Sequence, residues 1–326
     1  MSVATLAAHA DWSIDARKRW IAVAWRAGEG WRLAAPEPVG EVATLLDRLR
    51  ARAGGGAVAL GVDLPLGLPR AFVARHGLVG DFLSFLRGLS AEASFFEVCD
   101  SLDQVAPERP FYPTRGVKGM TRAAHAAVLG LDGPGALSRL CDRATAERPA
   151  GAPLFWTLGA NQTGKAAIAA WRDWLLPALA GPRPPLLWPF DGDLRALLAP
   201  GVVAVAETYP AEALRHLALR LTGSKRRQAD RAGLANGLAV AMAGLDVVPD
   251  AALAVQMADG FGARPDGEDR LDSVLGVLAV INVLAGNRPD APPDDPWLRR
   301  WEGFVLGQTS LPTVSCTAPP RVPELW

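Results

Sequence analysis

The chain has 326 residues, half of them hydrophobic, with 34 basic and 34 acidic side chains. That length and composition fit one or two ordinary globular domains with a sizeable apolar core. A formal net charge of zero excludes a surface that is cationic throughout for nucleic acid, while leaving room for a local basic groove.

Residues 1–10 are apolar but short, lack a basic leader and run straight into Asp11, so they read as a strand and not as a signal peptide. Residues 4–13, 20–26 and 31–35 are expected to form three antiparallel strands with turns at 15–18 and 28–30. Residues 40–52 carry Val42, Leu45, Leu46 and Leu49 at helical spacing, and the glycine run 54–56 stops that helix. The continuous apolar run 57–64 predicts a strand buried on both faces, ended by Pro65 and Pro69. From about 70 to 200 the sequence breaks into helical pieces near 80–89, 120–129 and 166–179, separated by loops rich in Pro and Gly. This stretch reads as a large, mostly helical insertion between the fourth and fifth strands.

Residues 202–207 predict the fifth strand, and 211–221 a helix entered through Tyr209 and Pro210. Residues 229–243 and 251–258 look helical, and 271–285 is a nearly all-apolar helix that should be buried. Residues 287–326 form a Pro-rich tail expected to pack on the core. The whole is an α/β chain, a single domain over 1–326, with a mixed five-stranded sheet and flanking helices. No stretch is long and apolar enough to span a bilayer. The three cysteines, Cys99, Cys141 and Cys316, form no CxxC pair, so free thiols in a reducing, cytoplasmic setting are expected. Oligomeric state is not legible.

Acids stand at the ends of four apolar elements: Asp11 after 4–10, Asp63 after 57–62, Glu207 after 202–206, and Asp269 and Asp272 at the mouth of the long apolar helix. A carboxylate beside a core is costly unless it is paired, hydrogen-bonded or bound to metal. If these acids converge at one end of the sheet, a shared cation offsets their repulsion. Mg²⁺ or Mn²⁺ suits carboxylate oxygens, and a pair of ions about 4 Å apart can activate water in a phosphodiester displacement. Asp269 and Asp272, spaced i,i+3, share a helix face. Singly, each acid has a plainer reading: a turn former at Asp11, a loop organiser at Asp63, an arginine partner at Glu207, and helix-dipole acids at Asp269 and Asp272.

Seven stretches carry a resemblance: HADWSIDARKRWIAVAW (9–25), GVDLPLGLP (61–69), FWTLGANQTGKAAIAAWRDWLLPAL (155–179), VAVAETYPAE (203–212), GSKRRQADR (223–231), EDRLDSVLGVLAVI (268–281) and EGF (302–304). In this order they resemble the uncharacterised-domain family numbered 429, predicted RNase H-like nucleases. The element order is also that of RNase H-like proteins, though other α/β folds share it. The resemblance implies metal ligands at Asp11, at Asp63 on the fourth strand, at Glu207 on the fifth, and at Asp272, with Asp269, on the closing helix. The DRLDS stretch is similar to the last acidic motif of Holliday-junction resolvases, with Ser273 in place of the usual Ala.

Lys225, Arg226, Arg227 and Arg231 follow Gly223 and open a helix; Lys225 is read as a phosphate contact near the metal site. Between Arg109 and Arg122, basic residues alternate with Phe111 and Tyr112, a pattern that could follow a nucleic-acid strand or be an ordinary exposed loop. Gly159, Gly164 and Lys165 nearly spell a nucleotide phosphate loop, but Ala166 replaces its Mg²⁺-binding Ser or Thr. There Asn161, Gln162 and Lys165 are candidate substrate contacts. His9, two residues before Asp11, faces the same side; a half-buried structural histidine is expected. His76, His125 and His216 lack metal-like spacing.

The expected function is a divalent-metal-dependent phosphodiester hydrolase, a nuclease, with Lys225 or Lys165 steadying the phosphate. A nucleotide-binding phosphotransferase or ATPase using the 159–165 loop, or a non-catalytic binding module, stands as the alternative.

Overall fold

In the computed structural model residues 4–159 and 163–312 are described. They divide into two compact units. The first takes the chain up to Leu64, Pro185–Pro292 and Val305–Gln308; the second takes the described residues of Pro65–Pro184 together with Pro293–Phe304. Of the stretch read as an insertion over 70–200, residues up to Pro184 fall in the second unit, whereas those from Pro185 on fall in the first.

The first unit is built on a mixed sheet of eight strands, not five. They are β1 (Ala4–Asp11), β2 (Trp20–Ala27), β3 (Gly30–Leu33), β4 (Glu37–Pro38), β5 (Ala57–Val62), β6 (Leu186–Leu187), β7 (Val203–Glu207) and β8 (Val247–Pro249). The spatial order is β6-β7-β5-β1-β2-β3-β8, with β4 pairing β2. The three strands the sequence does not announce, β4, β6 and β8, have two or three residues each. That is too short for an alternation of hydrophobicity to register.

β1, β2 and β3 form the antiparallel meander, and β5 joins β1 in parallel, as does β7 to β5. The inner strands β1, β5 and β7 are buried almost throughout, which explains their unbroken apolar runs.

The helix Gly267–Leu284 packs on β1, β2 and β5. It starts four residues earlier than its apolar run, so the acids belong to its first two turns. Pro265 precedes it, and Gly286, at φ +85°, follows its end in the left-handed region where a glycine is unstrained. From Leu271 to Val283 every residue is buried. Each buried Leu, Ile or Val there contributes about 1.5–3 kcal/mol of hydrophobic stabilisation. The run 229–243 breaks at Gly233 into two helices, Gln228–Ala232 and Ala235–Ala243.

The helix lies close to the sheet because the contact faces are small. A Cβ on Gly276 would sit 2.1 Å from His9 Cγ, and one on Gly61 would sit 2.8 Å from Val280 Cγ2. His9, expected half-buried, is fully buried, and its ring fills the notch that Gly276 leaves.

The second unit is mostly helical, with Arg70–Arg75, Phe82–Arg87, Arg122–Val128, Thr163–Ala170 and Leu176–Ala180. A π-turn, Trp171–Leu175, joins the last two. It falls just before Pro177, which has no N–H to continue an α-helical ladder. Phe72, Phe111 and Phe155 pack edge-on or tilted at 4.7–5.3 Å. Glu302 holds the returning segment: its carboxylate accepts from Arg70 N at 2.9 Å, Arg70 Nε at 2.8 Å and Arg70 Nη2 at 2.6 Å. Cys99 and Cys141 are free thiols, and Cys316 lies outside the described residues. No helix among the described residues is long and apolar enough to cross a membrane.

The Gly276 notch yields a stability prediction. Gly276→Ala should destabilise the protein by about 1–3 kcal/mol through overpacking, despite alanine's better helix propensity. His9→Ala in the same chain should recover part of that loss, read as non-additivity in denaturant unfolding.

Candidate functional site

The site forms where β1 and β5 end beneath the first turns of the helix Gly267–Leu284. β1 and β5 run in register, with Ala10 opposite Val62, and Asp63 N donates to Ala10 O at 3.1 Å. Side chains alternate along a strand, so His9 and Asp11 share one face, and Gly61 and Asp63 share it too. The helix covers that face. Its residue over His9 is Gly276, and Asp272 lies one turn nearer the N-terminus. Two strand residues advance about 6.6 Å and four helix residues about 6 Å, so the step from His9 to Asp11 matches the step from Gly276 to Asp272. Asp269 follows on the same helix face.

Asp11, Asp63, Asp269 and Asp272 therefore stand at the same end of the strand–helix layer, near enough for Asp272 to act on the other three and for Asp63 and Asp269 to act on Asp11. Asp11 is 9% exposed and Asp272 8%. Burial, then the charges of Asp272, Asp63 and Asp269, hold the Asp11 carboxyl well above the usual carboxylate range. Burial and Asp272 push Asp63 up to about 7. The same two causes push Asp269 to about 6. Burial also raises Asp272, against the pull of Lys225. Among the described residues no hydrogen bond or ion pair reaches the carboxylates of Asp11 and Asp63. Buried carboxylates without donors are rare, because each one loses hydration that nothing replaces.

Among the described residues Lys225 is the one ammonium in contact with this group. Its Nζ lies 2.6 and 2.7 Å from the two oxygens of Asp272. Burial lowers its affinity for a proton, but Asp272, Asp63 and Glu268 outweigh this and raise it. The loop that carries Lys225 is fixed from below. Arg231, 1% exposed, donates to the carbonyls of Lys225, Gly260 and Gly262, and Ser224 N donates to Asp230 at 2.7 Å. In the sequence Arg231 reads as one more member of a basic run; its role as a buried brace is visible only in the fold. Exposed Lys18 acts on Asp269 from the turn after β1. Trp20, opposite Asp11 on β2, stacks under the Arg270 guanidinium at 4.1 Å.

Glu207 departs from the expected set. In β7 it pairs with Val62, while Ala206 pairs with Gly61. Alternation sends its side chain to the face opposite Asp11 and Asp63, although its charge still reaches Asp63. The residue on the acid face is its neighbour Thr208, whose Oγ1 lies on the Gly61 side and has no hydrogen-bond partner among the described residues. His9 is neutral: burial lowers it to about 3, and neither ring nitrogen has a partner among the described residues.

Lys165 opens the helix Thr163–Ala170 in the second unit, whereas the acids belong to the first. Among the described residues no strand leads into it, as a nucleotide phosphate loop requires; a turn at Leu154 and Phe155 and a single bridge between Trp156 and Tyr112 precede it. Asn161 and Gln162 lie outside the described residues. In the stretch from Arg109 to Arg122 the rings of Phe111 and Tyr112 are buried, so they are not stacking platforms, while Arg115, Lys118 and Arg122 are exposed.

Asp11, Asp63, Asp269 and Asp272 present oxygen donors only, the donor chemistry a hard divalent cation prefers, and among the described residues the carboxylates of three of them, Asp11, Asp63 and Asp269, have no hydrogen-bond or ion-pair partner. The chain matches no family model, no curated protein and no solved structure.

The raised acids give a signed pH dependence. Asp63 and Asp269 bind protons more tightly folded than unfolded, so the stability they contribute is full below the ordinary carboxylate value of 3.8, falls as pH rises above it, and is lost once pH has passed about 6 for Asp269 and about 7 for Asp63. The chelator-treated protein should therefore melt at a lower temperature at about pH 8 than at about pH 5. Asp63→Asn should stabilise it at the higher pH by about 1–2 kcal/mol and flatten the dependence. Equal slopes for variant and parent would show that Asp63 is not part of a strained cluster.

Proposed function

We propose that the chain is a divalent-metal-dependent phosphodiester hydrolase, a nuclease on an RNase H-like scaffold. The observation that carries this reading is that buried Asp11 and half-buried Asp63 have no donors among the described residues and feel the charge of Asp272, which also acts on Asp269. Asp11, Asp63 and Asp272 would hold Mg²⁺ or Mn²⁺, with Asp269 at the rim. When bound, the cation supplies Lewis-acid activation of water and neutralises charge on the phosphate. The chain's own groups then position. The helix Gly267–Leu284 sets Asp272 against Asp11, and the Arg231 brace sets the backbone of Lys225. Lys225 and exposed Lys18 are the cations suited to phosphate oxygens beside the acids.

The meander followed by parallel β5 and β7 agrees with an RNase H-like order. The resemblance to family 429 supports the same reading through VDLP at Asp63 and EDRLDS at Asp269 and Asp272. A nucleic-acid substrate suits the exposed cations Lys18 and Arg226, which offer contacts to neighbouring phosphates as well as the reacting one. The phosphate-loop alternative is weakened by the missing strand before Gly159.

Incubation with short DNA, short RNA and a generic phosphodiester, each with Mn²⁺ and with chelator, tests the proposal. Cleavage should need Mn²⁺ and should fall by about a hundredfold or more in Asp11→Asn. Cleavage undiminished in Asp11→Asn would overturn the assignment. Mn²⁺-dependent binding of nucleic acid without turnover would favour a non-catalytic module.

A further inference from the structure

Lys225 holds Asp272 through both carboxylate oxygens, a stronger arrangement than a single contact. It is one ammonium against four carboxylates, so it relieves their repulsion only in part. A divalent cation ligated by Asp272 would share that carboxylate with Nζ, and like charges in a half-buried setting repel strongly. Lys225 and a divalent cation therefore compete for Asp272.

The surroundings allow one of them to leave without disturbing the fold. Arg231 fixes the Lys225 carbonyl, not its side chain, and Ser224 and Asp230 fix the loop beside it. The ammonium rides on a flexible four-carbon stem, and the side chain is 22% exposed, so it has a path to solvent.

From this geometry we infer that Lys225 is a resident place-holder cation, which keeps Asp272 in position without metal and is displaced from it when a divalent cation binds. The inference rests on the reading that these acids bind a divalent cation. Displacement moves Nζ from Asp272 toward the rim of the acid cluster. Cation loading and presentation of the ammonium to a substrate phosphate thus become one event. The device also explains why a lysine stands here: arginine would hold Asp272 with a rigid fork and be harder to dislodge.

The test uses the full chain and Mn²⁺ alone, followed by calorimetry at fixed pH. Lys225→Met, which keeps the length and loses the charge, should bind Mn²⁺ about tenfold more tightly than the parent. Its melting temperature should also gain more from saturating Mn²⁺ than that of the parent. Mn²⁺ binding to the parent with equal or weaker binding to Lys225→Met overturns the inference and leaves the metal reading standing. If neither protein binds Mn²⁺, or if Asp11→Asn binds it as well as the parent, the metal reading fails and the inference with it. Should Lys225→Met not fold, the parent still decides the matter: titration with Mg²⁺ should shift the side-chain ammonium resonance of Lys225 in ¹⁵N-labelled protein. A resonance unmoved at saturating Mg²⁺ would mean that the ion pair persists, which the inference forbids.

Discussion

The lodging of the His9 ring against Gly276 is the contact on which the acidic end of the first unit depends. It fixes how closely the helix Gly267–Leu284 approaches β1 and at which rung. Once that rung is fixed, geometry leaves no freedom one turn away: Asp272 comes down beside Asp11, and Asp63 stands next to Asp11 through the parallel pairing of β5. The apolar length of the helix supplies the stabilisation that holds these charges together, since it is buried without interruption from Leu271 to Val283. A short or amphipathic helix could not force four carboxylates into one place. Hydrophobic burial along most of the contact offsets electrostatic repulsion at its end, the trade-off expected where a site is built at the expense of stability.

Much of this was legible in the chain. Apolar runs that stop at an acid marked β1, β5 and the closing helix, because a buried element that ends on a carboxylate is unusual for purely structural reasons. The same rule misplaced Glu207. VAVAE ends on an acid just as AVALGVD does, but the strands pair so that Glu207 stands opposite Val62, one rung short of Asp63. A shift of one residue reverses the face, and register is set by pairing, which no single strand carries in its own sequence. Thr208 gave no signal of its own, since a single threonine just past a strand end is ordinary in any sequence. The short strands β4, β6 and β8 were invisible for a related reason: each is defined by a neighbour's hydrogen bonds and not by its own pattern.

The basic residues show the reverse difficulty. Lys225, Arg226, Arg227 and Arg231 look alike as a run, yet the fold gives them unlike tasks. Arg231 is buried and spends its guanidinium on three backbone carbonyls, as a planar multi-donor group can. Arg227 pairs with Asp230 at the surface, and Arg226 is exposed. Only Lys225 reaches the acids. Charge composition predicts a patch; which member of the patch matters depends on which way a loop of a few residues turns.

The balance of charge at the site has a consequence for how the protein must be built. Four carboxylates with one ammonium leave an excess of negative charge that folding alone does not neutralise. Protons relieve it at low pH, as the raised Asp63 and Asp269 indicate, but protonated carboxyls are poor ligands for a hard cation. Burial and the neighbouring charge of Asp272 hold Asp63 above the usual carboxylate range, so ionising the cluster costs free energy that protons relieve. A divalent cation would resolve this by replacing protons at the acids, so its binding and the ionisation of the site would be one coupled equilibrium. The acids are then held ready by the rigid helix and strands around them, and their strain is the driving force that a cation would release.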